Sequence, residues 1–185
     1  IIGDGFRDEF AFKLDDSILR GTGAGQPKGI LNSNALVTVA KESGPQTATT
    51  IVLNNIVKMR SRLWSRSRGN SVWFINQDCE PQLNILSLTV GNNSYPVLMP
   101  ASGVAGAPYD TIFGRPVIPI EQAATLGTVG DIMLLDLSQY LLCDKGSIQA
   151  AQSVHVRFLY DEMAFKFTYR VDGQPVWDLP LTPAQ

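Results

Sequence analysis

Residues 112–140 run Ile-Phe-Gly-Arg-Pro-Val-Ile-Pro-Ile, then a passage of small residues, then Val-Gly-Asp-Ile-Met-Leu-Leu-Asp-Leu-Ser-Gln-Tyr, and this stretch decides the fold. Gly114 and Pro116 bracket a sharp turn. A positive φ is expected at Gly114, where a β-branched residue is disfavoured. Val117, Ile118 and Ile120 make an apolar run of strand length. Pro119 lies inside that run and cannot donate to a ladder, which predicts an edge or irregular strand. Past Gly130 and Asp131, residues 132–135 are apolar on successive positions, as in a strand buried on both faces. Two such strands, joined by residues 121–130, are expected to form the centre of a domain.

The totals frame that centre. A chain of 185 residues buries roughly 70% of its unfolded surface, which fits one domain or two small packed ones. A net charge of −2 and a pI near 5.3 provide no global attraction to nucleic acid or to an anionic membrane. Cys79 and Cys143 lie far apart with no CxxC motif, and read as reduced thiols. Residues 81–109 contain no Asp, Glu, Lys or Arg, yet Gly91, Asn92, Asn93, Pro96, Pro100, Gly103, Gly106 and Pro108 break them too often for a membrane helix. The chain opens at Ile1 inside a helical pattern and reads as a piece of a longer protein.

Taken in order, residues 6–20 predict an amphipathic helix with Phe6, Phe10, Leu14 and Ile18 on its apolar face, Asp4 as a cap and Gly21 as its stop. The following Gly-Thr-Gly-Ala-Gly-Gln-Pro-Lys-Gly passage resembles a phosphate loop only in composition. It follows a helix rather than a strand and no helix pattern starts after it, so it reads as a turn leading to a short strand near Ile30 and Leu31. A weak strand is expected at 35–39. A second helix should run from a Thr49 or Thr50 cap to about Arg66, and a buried strand should cover 71–76. Asp78 should cap a third helix with Pro81 near its first turn, carrying Leu83 and Leu86 and extending as far as Leu88. Tyr95 to Met99 should form a hairpin arm leading towards 111–114. Residues 153–160 alternate cleanly and predict a strand. The phase changes by one after Met163, which requires a turn or bulge at Asp161 and Glu162. Asp172 and Gly173 should end this region, and Val176 and Trp177 should begin a final short strand. Helices and strands in this non-alternating order give an α+β fold.

No enzymatic motif appears: there is no GxSxG, HExxH or Walker A sequence. The single histidine, His155, reads as an exposed strand-face residue, because ligands for a metal site are missing around it. Neither a catalytic residue nor a cofactor nor a metal is expected. The Asp15-Asp16 and Asp161-Glu162 pairs read as solvated charge. One charge feature stands out. Lys58, Arg60, Arg62, Arg66 and Arg68 occur without an intervening acid, and Lys58, Arg62 and Arg66 have the i, i+4, i+8 spacing of a helix stripe. Asp4, Asp8, Glu9, Asp15 and Asp16 make the N-terminal segment acidic. A solvated face is the ordinary reading of that stripe, and a complementary contact between copies is the sharper one. Nucleic-acid binding lacks the aromatic interleaving it would need.

Several pieces together resemble the shell-forming domain of tailed-phage major capsid proteins with the Hong Kong 97-like fold, over its C-terminal two-thirds. They are the helix with G-x-G-x-x-x-P-x-G-I ending at Ile30, the strand and Asn/Asp-led helix of 72–86, and the F-G-x-P-V run from Phe113 to Val117. Gly130-Asp131 and Phe158-x-x-Asp161 with Arg170-Val-Asp-Gly173 complete the set. The resemblance implies a discontinuous peripheral domain at 1–47 and 141–185, packed through Phe10 and Leu14 against Phe165 and Phe167, and an axial domain at 48–140. It implies a structural, non-enzymatic subunit of a phage or prophage icosahedral head. Its partners would be other copies of itself, in pentamers and hexamers, around double-stranded DNA enclosed without sequence-specific contact and without a membrane. Such a subunit resides in the virion capsid and assembles in the bacterial host cytoplasm. An encapsulin-like compartment enclosing a cargo enzyme is the alternative. On this reading Lys58, Arg62 and Arg66 would meet Asp8, Asp15 and Asp16 of the adjacent copy, and Asn92 and Asn93 would tip an uncharged loop at a symmetry axis. Gly114 and Pro116 would support the axial sheet. The arm and extended loop of the family would precede Ile1, so the chain by itself is expected to be mostly monomeric. The family's lysine–asparagine crosslink is not carried over, because Asp161 and Glu162 stand near its position.

Overall fold

Trp73 and Ile75 alternate with Val72 and Phe74, and the strand they form is paired on both sides within the largest sheet. The computed structural model describes residues 2–44, 46–90, 93–100 and 109–181. Its elements in chain order are α1 (Ile2–Arg20), α2 (Leu53–Arg62), β1 (Val72–Ile75), α3 (Glu80–Ile85), β2 (Ser87–Val90), β3 (Asn93–Pro96), β4 (Leu98–Met99), β5 (Thr111–Ile112), β6 (Arg115–Pro119), β7 (Ile132–Leu135), β8 (Tyr140–Asp144), β9 (Gln149–Ser153), β10 (Ala164–Thr168) and β11 (Val171–Pro175). They fall into two compact units, Ile1–Ser33 with Tyr140–Val176, and Asn34–Gln139 with Trp177–Gln185.

The second unit is built on the sheet β4-β5-β6-β1-β7. β1 pairs in parallel with β6 (Trp73 opposite Val117) and antiparallel with β7 (Trp73 opposite Leu134). The two strands expected to be central therefore flank β1 rather than each other. β7 is an edge strand in which Met133 alone is buried, which corrects the expectation of burial on both faces. Conversely, Pro119 does not place β6 at the edge. The Val117 amide donates to the Asp110 carbonyl at 2.8 Å, and the β5 side carries no ladder beyond that point. Pro119 has the same parity as Val117, so its missing donor faces where no acceptor is needed. On the other side the Ile120 amide donates to the Ile75 carbonyl at 2.9 Å and continues the pairing with β1. Behind the sheet, Ile56 of α2, Cys79, Leu83 of α3, Val97, Leu98 and Ile112 close one core around Trp73 and Ile75. The Trp73 indole N–H is satisfied in that core by the Ile112 carbonyl at 3.2 Å.

Several local readings need correction. α2 begins at Leu53 with Val52 as its cap, because the Asn55 carboxamide accepts the Val52 amide at 3.1 Å; Thr49 lies upstream in a left-handed turn with φ of 57°. α2 also stops at Arg62, where Leu63 turns extended. The third helix is introduced by Asn76, whose side chain accepts the Asp78 amide at 3.0 Å, so Asp78 is inside the turn it was expected to cap. Leu88 belongs to β2 and is exposed. Tyr95 and Pro96 pair with β2, while Leu98 and Met99 do form the arm that pairs with β5. Residues 35–39 form no strand, and Ile30–Asn32 is a 3₁₀ turn.

The first unit consists of α1 and two separate ribbons, β8 with β11 and β9 with β10. Asp4 lies within α1 rather than at its start. The helix ends at Gly21 because the chain folds straight back on it: a Cβ there would collide with the Pro27 carbonyl oxygen. The Gly29 amide then donates to the Gly21 carbonyl at 2.7 Å, and the Asn32 carboxamide donates to the Arg20 and Gly21 carbonyls at 2.7 and 3.0 Å. The glycine-rich passage thus closes a helix C-terminus, where unpaired carbonyls need donors. Phe6 stacks on Phe167 at 4.3 Å between ring centroids, and Phe10 meets Tyr169 edge-on at 6.5 Å. The strand expected at 153–160 is absent. Ser153 pairs with Ala164, so everything between them connects the two arms of a hairpin; residues 155–160 form a 3₁₀ turn. A turn does fall at Asp161, with φ of 52°, but it ends the 3₁₀ turn rather than shifting the phase of a strand. Gly173 lies inside β11, and Val176 and Trp177 form no strand.

Candidate assembly surface

Breaking the second helix at Arg62 also breaks the basic stripe. Lys58 is taken up within the chain, its Nζ 2.7 Å from Glu42 Oε1. Arg62 is half-buried at the helix end, and its Nε has no hydrogen-bond partner among the described residues. Arg66 lies beyond the helix in a 3₁₀ turn, its guanidinium 5.7 Å from the Trp64 ring centroid. The three residues therefore do not share one face. The expected partners on α1 are differently placed: Asp8 and Asp15 are exposed, while Asp16 is half-buried, 4.0 Å from Arg20. Glu9 pairs with Lys13 at 3.4 Å. Asn93 is exposed at the start of β3, and Asn92 lies outside the described residues.

A different set of arginines does converge. Arg60, Arg68 and Arg115 border a cavity of about 250 Å³ whose remaining walls are Leu63, Ser71, Trp73, Phe113, Gly114 and Leu134. The turn between β5 and β6 positions it. Phe113 and Gly114 are its two central residues, with φ of 51° and 74°, between the paired Ile112 and Arg115. Positive φ at both positions is the primed hairpin geometry that matches strand twist. Gly114 has the positive φ expected of it, and Pro116 is the second residue of β6. Phe113 is in a conformation unfavourable for a side-chain-bearing residue, and the Arg60 guanidinium lies 4.8 Å from the centre of its ring. Arg115 donates from Nε to the Gly114 carbonyl at 2.9 Å and from Nη1 to the Gly69 carbonyl. Because Arg60, Arg68 and Arg115 come from a helix, a 3₁₀ turn and a strand, no periodicity in the sequence could have grouped them.

In the first unit the 155–160 turn shows an apolar surface. Val156, Phe158, Leu159 and Tyr160 are 74%, 75%, 93% and 74% exposed. The turn's own charges are closed on themselves, with Arg157 Nη1 2.7 Å from Glu162 Oε2. His155 is exposed here, on a turn rather than on a strand. Among the described residues no cluster of His, Cys, Asp or Glu could hold a metal ion, and no helix is long and apolar enough to cross a membrane.

A family model described as the phage capsid family matches residues 1–185. The chain belongs to the phage capsid family. No curated protein matches it by sequence. Among solved structures it is similar to the capsid of an empty GTA (gene transfer agent) particle computed with C5 symmetry, with a TM-score of 0.71 at 17% identity over 93% of this chain. The capsid of the native GTA particle matches with a TM-score of 0.70 at 16% identity over 94% of this chain. The chain spans 60% of the length of each of those capsid chains. The resemblance drawn from the sequence is thereby borne out, as is the α+β phage-capsid fold. Within this family member, the Phe-Gly-x-Pro-Val run is the β5–β6 turn and strand. The Gly-Asp pair ends the loop before β7, with the Asp131 carboxylate accepting the Gly127 and Ile132 amides at 2.8 and 2.7 Å.

Proposed function

We propose that this chain is the structural, non-enzymatic body of a shell subunit, which assembles with copies of itself into the head of a phage-like particle. Membership of the phage capsid family and the likeness to GTA capsids support this reading. The observation that carries it is the exposed Val156, Phe158, Leu159 and Tyr160 surface. A protein working as a monomer seldom displays such a cluster, whereas a contact with a neighbour would cover it. A patch that meets a different patch on the next copy generates rings, here pentamers and hexamers, and a closed shell from them. Double-stranded DNA is enclosed without sequence-specific contact, in keeping with the net charge of −2. The first unit serves as the peripheral domain and the second as the axial domain, with Asn92 and Asn93 near the axis. The subunit assembles in the bacterial cytoplasm and resides in the particle. A single pairwise contact is weak, so the chain by itself stays mostly monomeric and closed shells form only in the full-length subunit that carries it.

The test is to express the full-length subunit that carries this chain and look for particles by sedimentation and electron microscopy. Closed shells are expected, and Phe158→Ser with Leu159→Ser should abolish them while leaving the monomer folded. Absence of shells from the unaltered protein, or full assembly of the double variant, would overturn the reading.

A further inference from the structure

Arg60, Arg68 and Arg115 form no ion pair among the described residues, although they border one cavity. None of the residues lining that cavity is acidic. Three like charges at a concave site repel one another unless an anion joins them. Leu63, Trp73, Phe113 and Leu134 line it beside the arginines. A hollow of about 250 Å³ bordered by three arginines and by no acid suits a carboxylate on a short side chain. A DNA duplex presents its phosphates on a broad convex backbone and does not supply such a side chain.

We infer that the arginine cleft of the second unit receives an acidic side chain from α1 of a second copy of this chain. The occupant follows from charge complementarity: α1 puts Asp8 and Asp15 at an exposed surface while Glu9 is paired with Lys13, and opposite fields select partner and register. Arg115 is held by the Gly69 and Gly114 carbonyls and is therefore preset. Arg68 is exposed and forms no ion pair among the described residues, so it is the arginine able to close over the carboxylate. This contact takes the place of the Lys58, Arg62 and Arg66 stripe, and its occupant rests on the shell reading above.

Two measurements test it separately. In the first, the arginine Nε–Hε resonances of the soluble chain are followed while glutarate is added at constant ionic strength, with inorganic phosphate as the comparison. Saturable shifts at Arg60, Arg68 and Arg115 but not at Arg7 or Arg157 are expected, weakened about tenfold by Arg68→Gln. No saturable shift at the three arginines overturns the site, and phosphate binding tighter than glutarate overturns its carboxylate chemistry. In the second, Arg68→Glu is placed in the assembling protein, after an unchanged melting temperature has shown that it folds. Particle yield should fall about tenfold and recover when Asp8→Lys and Asp15→Lys are added. Unchanged yield with Arg68→Glu, or no recovery, overturns the second copy as occupant. If the unaltered protein forms no particles, the shell reading and this occupant fall together, while the glutarate titration still decides the site.

Discussion

The two units of this chain use similar apolar residues in opposite ways. In the second, Ile56, Trp73, Ile75, Cys79, Leu83, Val97, Leu98, Ile112 and Val117 close a core behind a five-stranded sheet. In the first, Leu19 is the buried large apolar residue among those described, and Phe165, Leu141, Val156, Phe158 and Leu159 remain exposed. The difference comes from architecture rather than composition. A two-stranded ribbon has little face to bury and is marginal alone, and the first unit has two of them with one helix. Its order rests on ring contacts such as Phe6 on Phe167 and on backbone bonds such as Lys28 N–H to the Gly173 carbonyl at 2.7 Å. The Tyr140 hydroxyl adds a bond to the Lys28 carbonyl at 3.1 Å. One unit is finished by its own packing, and the other leaves surface to be covered.

The sharpest way to break this comparison is to truncate one large side chain in each unit. Trp73→Ala should cost about 3–5 kcal/mol in urea denaturation, whereas Phe158→Ala should stay within about 0.5 kcal/mol. Equal losses would show that the exposed turn is packed after all. Next in size is Gly114→Val. The added Cβ meets nothing within 4 Å, so the whole effect is backbone strain at φ of 74°; about 1–3 kcal/mol is expected. Gly114→Asn should cost clearly less, since Asn tolerates this conformation, and equal costs would point to a cause other than φ.

The cysteines compare the units chemically. Burial, reinforced by Asp131, pushes the Cys79 thiol up to about 11, while Cys143 is exposed on β8. Iodoacetamide at pH 8 should label Cys143 and leave Cys79 untouched until the protein unfolds. Early labelling of Cys79 would mean that the sheet unit opens locally. Because the folded value is raised above the unfolded one of about 8.5, the stability Cys79 contributes is full below that pH and is lost as pH rises towards about 11. The smallest effect concerns Asp136. Burial works against its ionised form, but hydrogen bonds from Ser138 and Ser67 outweigh this and hold the carboxyl below its ordinary value. Its contribution is present above about pH 4 and is lost as pH falls through the lowered value. Ser138→Ala should therefore make acid unfolding begin at slightly higher pH, and an unshifted acid limb would remove the Ser138 bond from the account.

The strands at 72–75, 115–119 and 132–135, the end of α1 and the turn at Asp161 were legible because each is written locally. Apolar runs bounded by glycine need no distant partner to be read. The clean alternation of 153–160 misled for the opposite reason. A period of two marks a strand only where a partner supplies the ladder, and the register of Ser153 with Ala164 has already closed the hairpin.

By itself, the sequence determined the α+β class, the family, the need for positive φ at Gly114 and the absence of recognised catalytic motifs. These follow from residue types and short-range order, which a linear reading preserves. Which strands became neighbours, and which arginines met, only the tertiary structure decided. β1 gained its place by pairing with segments far along the chain, and Arg60, Arg68 and Arg115 met because three separate elements converge on the Phe113–Gly114 turn. The i, i+4 spacing of Lys58, Arg62 and Arg66 would have formed a stripe on an unbroken helix, but the chain leaves the helix at Leu63 and leads Trp64 to a ring contact with Trp177 at 6.0 Å. Spacing along a chain becomes spacing on a surface only while the backbone stays regular, and where it stops being regular is set by what the next residues pack against.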